Sequence, residues 1–431
     1  MSSYLAVFFI IGTKASIALI GVALTLVVTN VLSLESSGLF LLCYAVVQVG
    51  GACITLGARN YLIKKQSSSA VSRWGRINND VSFMLLFMLF IAFSAGAVIY
   101  AFFQLFSATF PSADLVSSII PFLAFGVFCL GVLQVISAVF QGLQRSIMAS
   151  ILQQFIAPAL FITFALIYQV MIGSISFLQL VKVYSVCLGL AAFLSIVVWL
   201  SQPKSRLHFA VRMSESMKVS FFSLFIILVM QQVTLWGGQL VAGYYLTLDD
   251  VATLAIVQRL SGVMSFILVA NNMVFAPKYS FAFSSGEYSE LNRLSLTSGR
   301  LMLLLALTSL GALFFFREQF LTLFNLDIAN AEMLFIIVLV GQFVNVITGS
   351  SGCLLTMTNN ERSLQKIVIF VGVTTLPLTI LSTVLWGATG TAISIAFSTM
   401  LQSILATNQV KKQLGFSPVN VFRSVESNEV R

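Results

Sequence analysis

The chain has 431 residues, of which 58% are hydrophobic and 9% are charged, and its formal net charge at pH 7 is +9. A soluble domain carries about 25% charged residues, so this chain has too few charges to cover a water-exposed surface. Its basic stretches are not interleaved with exposed aromatic residues as a single-strand platform requires, so we expect no nucleic-acid partner.

Apolar runs that can span the hydrocarbon core, which takes about 20 helical residues, predict twelve transmembrane helices. The first six are Tyr4–Leu32, Gly38–Ile63, Val81–Phe106, Leu115–Phe140, Ile147–Tyr168 and Phe177–Leu200. The second six are Val219–Leu246, Val251–Ala276, Ser295–Phe316, Ala331–Met357, Leu364–Trp386 and Thr391–Val410. The sequence therefore predicts an all-α polytopic membrane protein with two six-helix lobes around a central cavity.

The polar breaks set the predicted domain limits. We expect an N-terminal lobe over residues 1–200, a cytoplasmic linker over 201–218, a C-terminal lobe over 219–410 and a cytoplasmic tail over 411–431. Leu32-Ser33-Leu34-Glu35 before the second span resembles Leu246-Thr247-Leu248-Asp249 before the eighth. This likeness indicates two related halves, a common plan of transporters.

Lysine and arginine residues fix the predicted orientation. They concentrate after the even-numbered spans and in the C-terminal tail, whereas the opposite loops hold one cation, Arg317, among several acidic residues. Because cytoplasmic loops carry the excess of Lys and Arg, both termini are predicted to be cytoplasmic. The positive net charge is then largely a consequence of topology.

Few residues in the sequence favour catalysis or metal binding. The five cysteines lie in apolar runs without CxxC spacing, and the one histidine, His208, lies in a polar loop. This pattern indicates neither a disulfide framework, a zinc site nor a catalytic triad, so we predict a protein that is not an enzyme and holds no metal. Asp249 and Asp250 could bind a metal in an external transferase site, but we interpret them as the cap of the eighth helix.

Four cations are predicted to lie within the spans: Lys14, Arg59, Lys182 and Arg259. A cation at the bilayer centre costs roughly 2.5–3.5 kcal/mol on the insertion scale, so it normally faces a watery cavity or a partner. The sequence places no Asp or Glu deep in any span. A cavity lined by these cations would therefore be electropositive and would suit an anion.

These four cations are predicted to lie at different depths in the membrane. Lys14 and Arg259 lie near the midplane, where a cavity role competes with a helix–helix contact to backbone carbonyls. Arg59 and Lys182 lie closer to the span ends, so snorkelling to the interface is their alternative. Uncharged polar residues predicted to support the cavity are Thr25, Gln48, Gln231, Gln232 and Asn345. Small and polar faces also serve ordinary helix packing, which is the alternative for each of these residues.

Several segments resemble the bacterial polysaccharide transporters, the O-antigen flippase family. In the second half they are Leu235-Trp236-Gly237-Gly238 through Arg259 to Ala276-Pro277-Lys278, Gly286-Glu287 before Leu291, and Gly341 through Asn345 to Glu361-Arg362. In the first half they are Gly38-Leu39-Phe40, Leu56-Gly57 and Gln141-Gly142-Leu143-Gln144-Arg145. The likeness covers most of the chain in order.

This resemblance implies a fold similar to the multidrug and toxic compound extrusion (MATE) exporters. It also implies a flippase that moves an undecaprenyl-diphosphate-linked oligosaccharide across the inner membrane by alternating access. Membrane lipids and other polysaccharide-assembly proteins are the further partners it implies. It implies no bound cofactor, but coupling to an H⁺ or Na⁺ gradient; the membrane carboxylates that some relatives use for cation coupling are absent here.

Two other functions compete with this one. A multidrug or other lipid exporter of the same fold is the first, although cationic drugs prefer an acidic cavity. A membrane polysaccharide polymerase is the second, although such enzymes usually need a large periplasmic loop and the predicted outer loops are short.

Overall fold

The computed structural model describes residues 3–67, 74–105, 113–143, 145–202 and 215–418. Over these ranges the chain forms helices and turns without strands, which confirms the predicted all-α class. The N-terminal helices are α1 (Ser3–Val31), α2 (Leu34–Cys53), α3 (Ala58–Ser67), α4 (Trp74–Leu105), α5 (Ala113–Gly142), α6 (Ser146–Ser150), a π-helical segment (Ile151–Phe155), α7 (Ile156–Ile172) and α8 (Phe177–Leu200). They are followed by α9 (Glu215–Tyr245), α10 (Leu248–Gly262), α11 (Ser265–Ser284), α12 (Tyr288–Phe315), α13 (Arg317–Leu323), α14 (Ile328–Ile347), α15 (Ser351–Met357) and α16 (Glu361–Leu414).

Ten helical segments of the described chain are long and apolar enough to cross a membrane, as expected for a polytopic membrane protein. The predicted eleventh and twelfth spans are joined in α16, which kinks at Gly387 (φ +60, ψ −138). A positive φ is readily adopted by glycine, so the chain changes direction there without a polar loop. With α1 added and α16 taken as two spans, the described helices account for the predicted spans.

Contacts divide the chain into two compact units. The N-unit comprises Leu19–Gln232, and the C-unit comprises Met1–Ala18 together with Val233–Arg431. The lobe limits expected from the sequence stay predictions.

The core of the N-unit is built around α5. Residues 129–140 of this helix are all buried. Glycine lets α2 approach it closely, because a Cβ at Gly51 would lie 2.7 Å from Cδ2 of Leu130. Small residues at helix contacts are how membrane helices gain packing energy without a hydrophobic driving force. A second cluster stacks the ring of Phe40 on that of Phe161, with centroids 5.5 Å apart.

The core of the C-unit depends on the contact between α14 and α16. A Cβ at Gly341 would lie 2.7 Å from the Cα of Ala396, so these two backbones pack at close range. Large side chains point outward from both units, among them Phe90, Val170, Phe193, Leu304 and Trp386. These apolar side chains can contact lipid tails, and the backbone beneath them needs no further partner because its hydrogen bonds are made within each helix.

The helix caps support the predicted internal repeat. Ser33 caps α2 and accepts a hydrogen bond from the backbone N–H of Ser36, while Thr247 caps α10 and accepts one from that of Asp250. The Thr247 hydroxyl also donates to Oδ2 of Asp250 at 2.8 Å. This geometry confirms the interpretation of Asp250 as part of the cap.

Candidate functional site

The second predicted span is broken in two, and the break sets the position of Arg59. After α2 ends at Cys53, the backbone is left-handed at Leu56 (φ +48) and Gly57 (φ +79) before α3 begins. A Cβ at residue 57 would lie 2.8 Å from the Cβ of Leu224, so both the backbone angle and the space favour glycine. Arg59 consequently lies in the first turn of α3.

One nitrogen of the Arg59 guanidinium is buried without a partner. Its Nε is inaccessible to solvent and has no hydrogen-bond partner among the residues that the structure describes. Ala58 and Leu62 on either side are buried and anchor α3 in the core. The first turn of α3 also carries the positive end of the helix dipole, while the N–H of Ala58 already donates to the carbonyl oxygen of Thr55 at 2.8 Å. Together, the cation and the helix terminus form a place that suits a phosphate or another anion.

Asp80 is the main difference from the predicted interior. The sequence places it in a cytoplasmic loop, but α4 begins at Trp74, before the predicted start at Val81, and Asp80 is only 3% exposed. The hydroxyl of Tyr61 donates a hydrogen bond to Oδ2 of Asp80 at 3.2 Å. A helix can continue past the hydrocarbon when neighbouring helices cover its polar residues, which hydropathy does not reveal. The interior of the N-unit thus includes a carboxylate on the helix beside α3.

The uncharged residues predicted for the N-unit have different surroundings. Thr25 is buried and donates to the carbonyl oxygen of Gly21, one turn earlier in its own helix, at 3.3 Å. Gln48 and Gln232 are partly buried, and Gln231 is exposed. No described contact joins these side chains to Arg59, so their role in binding stays a prediction.

The other three predicted cations also differ from one another. Lys182 is exposed, and its ammonium lies 5.3 Å from the centroid of the Phe122 ring, a cation–π distance. Arg259 is partly buried in the last turn of α10. Lys14 belongs to α1, but its side chain lies outside the described part of the structure. Their assignment to one binding site stays a prediction.

A polar cavity of about 140 Å³ lies within the C-unit, at a break in the tenth predicted span. There α14 ends at Ile347, Gly349 is left-handed (φ +69), and α15 begins at Ser351. The cavity is lined by Leu268, Asn272, Asn345, Thr348, Gly349, Ser350, Ser351, Gly352, Cys353, Leu364, Gln402, Ser403 and Ala406. Asn345, a residue predicted to support a polar cavity, is among them.

Hydrogen bonds connect the walls of this polar cavity. Oδ1 of Asn345 accepts from the hydroxyl of Ser403 at 2.8 Å, and its Nδ2 donates to Oε1 of Gln342 at 3.5 Å. The hydroxyl of Ser351 pairs with that of Thr407 at 2.9 Å. These bonds tie the broken helix to α16.

A second chain of hydrogen bonds reaches α11 and α12. Ser350 pairs with the hydroxyl of Tyr279 at 3.1 Å and with that of Ser298 at 3.4 Å. Nδ2 of Asn271 donates to Ser298 at 2.7 Å. The break between α14 and α15 is therefore joined to α11 and α12 through polar side chains.

Sequence reasoning missed most of this cluster. Asn271-Asn272 in the eighth span was a visible signal, because two adjacent amides are unusual in an apolar run. Ser298 and Ser350 gave none, since single serines occur throughout membrane helices.

Comparisons with known proteins bear on the fold. No model of a protein family matches the sequence, and the search of curated proteins finds no significant match. Among solved structures, an inward-facing multidrug resistance MATE family transporter of the MOP superfamily has a TM-score of 0.71 and 14% identity, covering 94% of this chain and 98% of that one.

Two further solved structures share the arrangement. The lipid II flippase MurJ in an inward closed conformation has a TM-score of 0.62 and 14% identity, covering 92% of this chain and 87% of that one. A MOP superfamily transporter from Pyrococcus furiosus, described by the reverse polarity of its binding pocket, has a TM-score of 0.61 and 12% identity over 94% of both chains. These likenesses confirm the fold that the sequence resemblance implied: the chain has the fold of the MOP superfamily transporters.

Proposed function

We propose that this protein is a flippase that moves an undecaprenyl-diphosphate-linked oligosaccharide across the bacterial inner membrane by alternating access. The observation that carries the proposal is Arg59, whose Nε is buried without a hydrogen-bond partner in the described structure at the start of α3. The Arg59 residue is partly buried, and removing part of a guanidinium from water is costly unless something compensates its charge. A diphosphate supplies that compensation, because a guanidinium binds phosphate oxygens in a bidentate way.

The other predicted cations support an anionic substrate. Lys14 and Arg259 are proposed to contact the diphosphate and the sugars, with Lys182 nearer the end of its span. Gln48, Gln231, Gln232, Asn345 and Thr25 are proposed to provide hydrogen bonds for sugar hydroxyls.

The structural neighbours are compatible with this substrate class. One of them, MurJ, is a flippase of lipid II. Another, the transporter from Pyrococcus furiosus, is described as having a binding pocket whose polarity is reversed and a different function. The excess of Lys and Arg after even-numbered spans supports cytoplasmic termini. Entry of the substrate from the cytoplasmic leaflet is what the resemblance to the O-antigen flippases implies.

A multidrug exporter of the same fold is the competing function, because the MATE transporters are also similar in structure. Cationic drugs would be repelled by Arg59. The two functions therefore differ in the sign of charge that the substrate must carry.

A flipping assay in cells tests the proposal. The periplasmic accessibility of lipid-linked repeat units is measured in cells that depend on this chain. We expect Arg59→Ala to reduce accessibility at least tenfold, because loss of a charge-assisted bidentate contact costs about 1.5–3 kcal/mol.

The matched control is Arg293→Ala. Arg293 is another arginine near a helix N-terminus, but its side chain is 68% exposed and approaches Glu290 at 3.5 Å. It should flip like the wild type when both variants reach the membrane in equal amounts. Normal flipping by Arg59→Ala would contradict the site.

A further inference from the structure

We propose that the two ends of α16 together form a binding site for the phosphate headgroup of an anionic phospholipid. The site consists of four exposed cations, Arg362 and Lys366 in the first two turns of the helix and Lys411 and Lys412 in its last turn. All four belong to the C-unit. The binding site does not depend on the proposed function.

A hydrogen bond joins the two ends of α16, although 50 residues separate its partners in the sequence. Nε2 of Gln413 donates to Oγ of Ser363 at 2.8 Å. Arg362 directly precedes Ser363, and Lys412 directly precedes Gln413. The bond therefore brings a cation from the start of the helix close to one from its end.

An apolar cluster in the C-unit supports this arrangement. Val410 is one of its buried members, and Leu364 and Leu414 pack against it. The same cluster includes Phe275 of α11 and Leu354 of α15. Because both ends of α16 are anchored in one core, the fold itself determines where the four cations lie.

The charge of these cations is not compensated within the described structure. None of the four forms an ion pair with another described residue. Residues 360–370 and 405–416, which contain them, include a single acidic residue, Glu361. Like charges that are held close together repel each other, so an anion that contacts several of them is bound favourably.

The helix faces that carry the cations continue into apolar, exposed faces. Phe370, one turn after Lys366, is 54% exposed, and Ile404, two turns before Lys412, is 46% exposed. Residues four apart share one face of a helix. Exposed apolar side chains of a membrane helix contact lipid tails, while Lys and Arg near its ends extend to the headgroup region. One lipid molecule can therefore use both parts of this surface, whereas a soluble anion can use only the cations.

The chemistry of the cations favours phosphate over a zwitterionic headgroup. A guanidinium binds phosphate oxygens in a bidentate way, and ammonium groups add further positive charge. The choline of phosphatidylcholine is itself a cation, so these residues would repel it. The positive-inside rule accounts for the sign of the charge at this end of the spans. Clusters of Lys and Arg next to transmembrane helices are also typical binding sites for anionic lipids.

Lipid binding is measured on the purified full-length chain in a non-ionic detergent. Thermal unfolding is followed during titration with short-chain phosphatidylglycerol, short-chain phosphatidylcholine or inorganic phosphate. We expect the Tm to rise saturably with phosphatidylglycerol alone. Equal Tm values in the two lipids would overturn the proposal, and an equal rise in inorganic phosphate would show a site for free anions instead. Neither measurement involves transport, so the result is independent of the flipping assay.

A double variant locates the site. In Arg362→Gln/Lys412→Gln, the affinity for fluorescent phosphatidylglycerol should fall about 25-fold, because each cation near an anionic surface contributes about fivefold. Both side chains are exposed, so the variant should fold like the wild type.

The matched control is Arg145→Gln/Arg293→Gln, which removes the same amount of charge. Arg145 donates to Oε1 of Gln202 at 2.8 Å, and Arg293 approaches Glu290 at 3.5 Å, so both cations already have partners. The control should bind phosphatidylglycerol like the wild type. Equal losses in both double variants would show an effect of net charge alone, and unchanged affinity in Arg362→Gln/Lys412→Gln would reject the site.

Discussion

The position of Arg59 depends on the left-handed turn that ends two residues before it. Leu56 and Gly57 both have positive φ, and a left-handed leucine costs roughly 1–2 kcal/mol. The strain is maintained by the packing of Gly57 against Leu224. This short turn ends α2, starts α3 and places the arginine in the first turn of α3.

Gly57→Ala tests this dependence at the residue scale. The new Cβ would meet Leu224 at 2.8 Å on a backbone with φ +79, so α3 must shift. We expect a loss of about 1–3 kcal/mol in stability and reduced flipping, measured by thermal unfolding and by periplasmic accessibility.

Gly286→Ala is the matched control, since Gly286 also has a positive φ (+74) but a Cβ added there would meet nothing within 4 Å. It carries the backbone strain without the clash. Equal flipping defects in both variants would show that the contact with Leu224 does not position Arg59.

At the element scale, glycines decide which helices approach each other. In the C-unit, Gly341 on α14 faces the backbone of Ala396 on α16, and the same two helices form walls of the polar cavity. Close packing there fixes the distance between Asn345 and Ser403, which share a hydrogen bond of 2.8 Å.

Gly341→Ala should separate α14 from α16. Its Cβ would lie 2.7 Å from a backbone atom that no side-chain rotation can relieve. We expect destabilisation of about 1–3 kcal/mol, seen as a lower Tm of the purified protein. Gly311→Ala on α12, with nothing within 4 Å, should instead stabilise by up to about 1 kcal/mol. A Tm for Gly341→Ala at or above the wild-type value would refute this packing account.

At the scale of the whole molecule, the charge distribution predicts the orientation. Green fluorescent protein fused after Arg431 should fluoresce, and alkaline phosphatase at the same place should be inactive, because the tail is predicted to be cytoplasmic. Active phosphatase and a dark fluorescent protein would reverse the predicted topology.

The fold was largely predictable, because hydropathy identifies the segments that are apolar enough to cross lipid. The predicted sixth span, Phe177–Leu200, coincides with α8. The helix breaks were not predictable, since Leu56-Gly57 and Gly349 lie within apolar runs and depend on packing from distant helices. The polar spacing of the tenth span predicts that Asn345 faces inward. Its partner Ser403 and the amide of Asn272 were not predictable, because they come close to Asn345 only through the packing of distant helices.

The most direct measurement uses the purified chain in proteoliposomes. Movement of a fluorescent undecaprenyl-diphosphate oligosaccharide between leaflets is compared with uptake of a fluorescent cationic drug, for the wild type and for Arg59→Ala. The account predicts fast movement of the lipid by the wild type, a large loss in Arg59→Ala and no drug uptake. Drug uptake by a wild-type chain that leaves the lipid in its original leaflet would contradict it.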